Sequence, residues 1–337
     1  MTMYRLWYYN LSNLNHGMNK KNKNTNKNIV KVKKHSTFFW VFAAFVAALI
    51  AAPTAAIVKT SLTDTDPYFY SLVRYSIVLI VCVLILLSKR SQKMHVGKYT
   101  ILSAITMSIS VTTFVVAILV SKASFVSILQ LLTPIMFMIL SGLMARERFK
   151  HQEIIGVTTA LIGTALLIIA PLLAGGNAQL TVYPLATVYM IINSIAFALS
   201  LVWMKKANEA GDTLILVIFW QALVTVIVSL CLFMTIGDSS MATLNLKLLI
   251  AAGYPAIFVA IIVRALDTVV YERVGSAVVS IMTYLETIVA VYIAIIFLNE
   301  VLSIPTIIGG LIVIAGIYIA EKKANHHKYT HHAFRHF

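Results

Sequence analysis

Apolar stretches long enough to cross a bilayer recur along the whole chain, ten of them. They run over 38–58, 68–87, 99–120, 123–144, 153–173, 182–204, 214–236, 248–270, 276–298 and 304–320. Roughly 20 apolar residues in a helix span the hydrocarbon core. None of the stretches alternates apolar with polar residues as a barrel strand does. In lipid, only a helix satisfies the backbone of a lone segment. The sequence therefore predicts an all-α integral membrane protein with ten transmembrane helices. Composition agrees: the chain is 60% hydrophobic and 12% charged, too few charges to cover a water-soluble surface.

The 27 Lys and Arg against 12 Asp and Glu give a formal charge of +15. In a soluble protein that excess would suggest nucleic acid. Here the basic residues sit between the spans, so they report topology instead. Lys59, Lys122 and Lys247 fall on one side, Arg74 and Arg264 lie within spans, and every other Lys and Arg is on the side of the two termini. The Lys/Arg excess marks the cytosolic side. Both termini are thus expected in the cytosol and the protein in the cell membrane, plasma or inner.

Residues 1–37 carry the polar run "NKKNKNTNKN" and are expected to form a disordered basic cytosolic tail,. No signal peptide is evident there, and Met18 is a second candidate start besides Met1,. Residues 321–337 form a second cytosolic tail, rich in His and Lys. Its histidines, His326, His327, His331 and His332, make a loose metal-binding tract. A flexible basic segment near anionic lipid is the simpler reading, and no metal site or cofactor is expected. Cys82 and Cys231 both fall within spans, where thiols serve as small hydrophobes.

A shift of 153 residues lays "VSILQLLTPIMFMILSGLMARERFKHQEIIGVTTALIG" (126–163) over "VSIMTYLETIVAVYIAIIFLNEVLSIPTIIGGLIVIAG" (279–316). Val126/Val279, Leu132/Leu285, Glu147/Glu300, Gly156/Gly309 and Gly163/Gly316 coincide. Spans four and five therefore correspond to spans nine and ten. Five spans per copy is an odd number, so the second copy runs through the membrane in the opposite direction. Inverted repeats are the plan of many secondary transporters, whose halves exchange conformations around a midplane site.

These motifs carry a resemblance. A Pro- or Glu-marked span, then "ARERF" or "LNEVL", then a Gly-spaced span resembles the EamA repeat of the drug/metabolite transporter superfamily. "YLETIVAVYIAIIFLNE" is similar to that family's Tyr-Leu-Glu-Pro-Val run ending in Gly-Glu, with Thr287 in place of the proline and Asn299 in place of the glycine. The first copy keeps a proline, Pro134. The resemblance covers nearly all of 38–320 and implies a first repeat at 38–173 and a second at 174–320. It implies a carrier of small solutes, working by alternating access, with export the favoured direction. It does not select among amino acids, other metabolites and drugs.

Four charged residues lie clearly inside spans: Arg74, Arg264, Asp267 and Glu286. Burial of each costs about 2.5–3.5 kcal/mol on insertion scales, so such residues face a cavity or a partner. Three roles fit Glu286: binding a substrate amine, carrying a coupling proton, or pairing with Arg74 or Arg264 to hold helices together. Arg74 suits a substrate carboxylate or phosphate, or the charge of Glu286. Arg264 and Asp267, three apart on span eight, suit a structural ion pair. Gln130, Thr133, Asn193, Gln221, Thr283 and Tyr284 complete the substrate-binding or coupling candidates. Under the repeat shift Gln130 meets Thr283 and Thr133 meets Glu286. Each of these polar residues alone is equally an interhelical hydrogen bond. Pro53, Pro134 and Pro255 are hinge candidates or static kinks, since each removes a backbone donor. In span one Ala43, Ala47, Ala51 and Ala55 form a small-residue row that lets helices approach closely.

Enzyme chemistry has no footing here. The nine histidines lie outside the spans, and no His-Glu-x-x-His, Gly-x-Ser-x-Gly or P-loop motif occurs,. The expected protein is a secondary transporter of a small metabolite, an amino acid or related polar or amphipathic solute. Its expected partners are that solute and the bilayer; proton coupling and oligomeric state are open. A non-transporting scaffold or receptor, or a channel-like facilitator, is the alternative, separated by saturable flux and counterflow.

Overall fold

The computed structural model describes residues 37–88, 96–145, 183–274, 276–300 and 304–321, with isolated positions between 155 and 163. The two tails, the linker containing Glu147 and nearly all of span five lie outside the described residues. Among those described, every regular element is helical. In chain order they are α1 (Thr37–Ala51), α2 (Thr54–Ser61), α3 (Pro67–Ser88), α4 (Lys98–Leu119), α5 (Ala123–Leu129), α6 (Leu132–Ala145), α7 (Pro184–Glu209), α8 (Leu214–Ile236), α9 (Leu246–Tyr254), α10 (Arg264–Val274), α11 (Ser276–Leu298) and α12 (Ile304–Glu321). A π-helix, Pro255–Val263, joins α9 to α10.

Among the described residues six helical segments are long and apolar enough to cross a membrane: Phe39–Ser61, Pro67–Ser88, Lys98–Leu119, Pro184–Glu209, Leu214–Ile236 and Leu246–Asp267. Three shorter apolar stretches, Ala123–Phe137, Leu285–Leu298 and Ile307–Gly316, fall on the fourth, ninth and tenth spans of the sequence. Side-chain placement follows lipid and core. Phe42, Phe45 and Leu49 of α1 are exposed, while Ala44, Ala47, Ala48 and Ala51 are buried against the bundle. The small residues thus face other helices and the large ones face the lipid.

The first, fourth and eighth spans are interrupted, each beside its proline. Pro255 has no N–H to give the Ala251 carbonyl, and that carbonyl is taken by the hydroxyl of Tyr70 at 3.2 Å. Tyr70 is fully buried on α3. After Pro255 the ladder widens into the π-helix, a form found mostly as short insertions. In the first span the chain turns at Ala52 and Pro53; Thr54 Oγ1 donates to the Ala51 carbonyl at 2.7 Å, and Tyr254 Oη donates to that of Ile50 at 2.7 Å. The fourth span is two helices rather than one. It breaks at Gln130 and Leu131, and Thr133 N–H donates to the Gln130 carbonyl four residues before Pro134. In lipid, broken helices persist only where such substitutes satisfy the freed groups. Tyr70→Phe is therefore expected to cost about 1–3 kcal/mol, the penalty for an unpaired buried carbonyl. A reversible unfolding titration in mild detergent reads it; a variant as stable as the native protein would mean that the bond is idle.

Two ends of the bundle are defined by α4. At its start Thr100 donates to the Asp212 carboxylate, just before α8. At its finish Lys59 donates to the carbonyls of Ile118 and Ser121, and the adjacent linker leads into α3. So α3 and α8, the second spans of the two halves, begin at opposite ends and run antiparallel. Helix pairing shows the same exchange. The third span packs on the sixth and the eighth on the first, the fourth on the sixth and the ninth on the first, the third on the seventh and the eighth on the second. The pairs two–seven and four–nine map onto themselves. Swapping the halves reproduces the main contacts among the described helices.

Candidate functional site

Glu286 is the eleventh residue of the 23-residue α11, about 15 Å along the axis from its start at 1.5 Å per residue,. It is half-buried and forms no hydrogen bond or ion pair among the described residues. Asp267 on α10 is a like charge within electrostatic range of it. Asp267 is attracted in turn by Arg264, three residues earlier. Arg264 lies over the ring of Phe197 from α7, its guanidinium carbon 5.3 Å from the centroid. Arg264 also feels Arg74 and Tyr75 of α3. The charges of spans two, eight and nine are thus linked pairwise: Glu286 is influenced by Asp267, Asp267 by Arg264 and Arg264 by Arg74.

Arg74 is the positive member most deeply enclosed on α3. Its residue is 7% exposed, and its guanidinium lies 5.4 Å from the Tyr75 ring centroid. Its Nε is buried with no hydrogen-bond partner. A buried donor without an acceptor is costly, and an arginine kept that way suits an acceptor that arrives from outside. No ion pair joins Arg74 to Glu286 among the described residues. Arg264 and Asp267 lie three apart in the first turn of α10.

The uncharged candidates divide. Asn193 Nδ2 donates to the Ser110 carbonyl at 2.8 Å and to Ser110 Oγ at 2.9 Å. Gln221 Nε2 donates to Ser103 Oγ at 2.8 Å, and that hydroxyl passes its own proton to the Ser200 carbonyl. These chains tie spans three, six and seven together, the interhelical use of polar side chains in membranes. Thr133 reaches Ser194 Oγ at a long 3.4 Å. Gln130, at the break of the fourth span, is half-buried with no side-chain hydrogen bond among the described residues. The side chains of Thr283 and Tyr284 lie outside the described residues.

One end of the bundle holds a clasp that the sequence did not expose. Asn299 adopts φ 50° just past α11, a left-handed position that favours Gly and then Asn. This is where the resembling repeats have glycine. The turn delivers Glu300 to the start of α5. There its carboxylate accepts from Ala123 N–H at 2.8 Å, Ser124 N–H at 2.9 Å and Ser124 Oγ at 2.5 Å. A carboxylate at a helix N-terminus is doubly favoured, by the free N–H groups and by the helix dipole. Lys59 does the converse at the finish of α4 and stands within Coulomb range of Glu300. A cleft of 590 Å³ opens here, lined by Lys59, Tyr183, Leu298, Asn299 and Glu300 among others.

At the same end Asp66 accepts from Tyr68 and Phe69 N–H at the start of α3 and from Asp238 N–H at 3.0 Å. Pro67 is the first residue of α3, a position where a missing N–H costs nothing,, and the Asp238 bond spans 172 residues. Lys247, 2.6 Å from Asp64, holds that exposed carboxyl below the usual carboxylate range. A lowered pKa means the link is intact at neutral pH and is lost as pH falls through that lowered value.

A multi-pass helical membrane protein with charged residues inside its spans suits a channel or a carrier. The comparisons narrow this. A sequence profile described as the EamA-like transporter family matches residues 38–169 and 184–321, so the chain belongs to the EamA family of the drug/metabolite transporter superfamily, with one match on each half. The family consists of membrane transporters, which brings a small-molecule substrate and surrounding lipid as partners. Among curated proteins none matches the sequence. Among solved structures one described as a crystal structure of a protein is similar at 15% identity and a TM-score of 0.60, covering 86% of this chain and 99% of that one. That likeness speaks for the fold alone.

Proposed function

We propose that the protein is a secondary carrier of ten crossings in two inverted five-helix halves, moving a small zwitterionic or amphipathic metabolite by alternating access. Amino acids are the first candidates and export the favoured direction, with both termini cytosolic. The observation that carries this reading is the buried Arg74 donor left without an acceptor, with Arg264, Asp267 and Glu286 linked to it in turn by electrostatic influence. Two cations and two anions so linked match a solute bearing both an ammonium and a carboxylate. The carboxylate would be held by Arg74 and the ammonium by Glu286. Gln130 and Thr133, at the broken fourth span, stand where unwound backbone contributes to transporter sites. The interruptions at Pro53, Pro134 and Pro255 are the places where the halves would flex.

The test is counterflow in proteoliposomes loaded with single amino acids or other zwitterionic metabolites. Saturable uptake of label accelerated by unlabelled solute on the opposite side is expected for at least one of them. Flux that neither saturates nor counterflows would indicate a channel, and no flux for any solute would indicate a scaffold or receptor.

A further inference from the structure

We propose that the end of the bundle bearing Tyr99 and Trp203 holds a binding site for the headgroup of an anionic phospholipid, built on a two-ring aromatic shelf flanked by Lys98 and Lys206. Tyr99, in the first turn of α4, and Trp203, late in α7, stack with centroids 5.7 Å apart and planes at 14°. Lys206 Nζ lies 5.3 Å from the Trp203 ring and 5.9 Å from that of Tyr99. Lys98 Nζ lies 5.1 Å from the Tyr99 ring on the neighbouring helix. Cations within about 6 Å of an aromatic centroid are attracted to its face, so the rings gather two ammonium groups at one spot.

Those two groups repel each other. Both stand within 6 Å of the Tyr99 centroid, so they are separated by no more than about a Debye length. The acids nearest in sequence are Glu209, one turn after Lys206 on α7, and Asp212, and neither forms an ion pair with the two lysines among the described residues. Asp212, the acid beside this corner, is engaged by Thr100 and lies against Gly97. Neither Lys98 nor Lys206 has an ion pair among the described residues. The opposite end differs, since Lys247 is neutralised there by Asp64 at 2.6 Å. An anion seated between Lys98 and Lys206 would remove the repulsion.

The surroundings select a lipid. Tyr and Trp at the ends of spans lie at headgroup depth. Leu102, Ile105 and Ile109 follow Lys98 down one face of α4 at helical spacing, each about 40% exposed,. They give an acyl chain an apolar track directly beneath the lysine. A free phosphate would use the ammonium groups and leave that track bare. The inference is independent of what the protein carries.

The test uses the full-length protein in nanodiscs of phosphatidylcholine mixed with phosphatidylglycerol. After extraction into detergent, native mass spectrometry counts the lipid retained. The native protein is expected to keep phosphatidylglycerol in preference to phosphatidylcholine and to release it in high salt. Lys98→Gln with Lys206→Gln should weaken retention about fivefold for each lysine, the usual gain of a basic residue at an anionic surface. Lys98→Arg with Lys206→Arg should keep it, and Lys247→Gln should leave it unchanged. Equal retention of the two lipids by the native protein would overturn the proposal. So would retention that survives loss of both lysines, or that falls equally in the Lys247 variant.

Discussion

Arg74→Met should give a protein that folds as well as the native one and transports almost nothing. Arg74 carries a buried charge whose Nε has no partner among the described residues, and the Tyr75 ring lies beneath its guanidinium. Removing a buried charge in favour of an apolar chain of similar length is often neutral or stabilising. The thermal midpoint should therefore hold or rise. If the guanidinium receives the carboxylate of a substrate, its removal costs about 2–5 kcal/mol of binding, or roughly 30- to 4,000-fold in half-saturation. Arg74→Lys should recover part of this, since an ammonium keeps the charge without the planar fork. Counterflow and unfolding measured on the same preparations separate the two roles. A variant that loses stability while keeping its flux would make Arg74 a structural residue.

Glu300→Ala should be the most destabilising single change at the clasp. Three bonds to the start of α5 end on this one carboxylate, and Lys59 would lose the charge it faces. Bonds to charged groups contribute about 1.5–3 kcal/mol each, and they are shared here, so a loss of about 2–4 kcal/mol is expected. Glu300→Gln keeps an acceptor oxygen for one N–H and should recover roughly half. The comparison is made by denaturant titration in detergent, where unchanged stability in Glu300→Ala would mean that the contact does not hold α5 in place.

Much of this fold was written in local composition. The seventh span, 214–236, is the helix Leu214–Ile236, and the ninth, 276–298, is Ser276–Leu298, because lipid leaves a long apolar segment no other way to satisfy its backbone. The chain is interrupted at Pro53, at Pro255 and, in the fourth span, at Gln130 and Leu131 just ahead of Pro134. The form of these interruptions was not legible: hydropathy does not distinguish a π-helix from an α-helix, nor does it show that the fourth span breaks at Gln130, ahead of Pro134. The repeat was visible where Glu and Gly recur in register. It was invisible in spans two and seven, where Arg74 and Gln221 are each the eighth residue of their helix but share no side-chain chemistry. Long-range pairs were hidden for a plainer reason. Asn193 with Ser110, Gln221 with Ser103 and Glu300 with Ser124 join residues 83, 118 and 176 apart. Nothing in either local window selects the other. Sequence reasoning could name Asn193 and Gln221 as polar groups inside the membrane, and only the packing assigned their protons.

The pairwise linking of the four intramembrane charges had a partial signal. The prior that an ionisable residue within a span faces a cavity or a partner brought each into view singly. The packing sets α10 against α11, and the π-helix that precedes α10 against α3. Charge at the centre is then the feature to question, and Glu286 is the residue to change, because it is midway along its span and without an ion pair among the described residues. Counterflow of an amino acid or other zwitterion should be measured for the native protein and for Glu286→Gln side by side, at several pH values. A well-folded variant that loses counterflow, or the pH dependence of it, is the expected result. Equal flux with equal pH dependence in the two proteins would contradict a binding or coupling role for Glu286 and leave it a helix-packing residue.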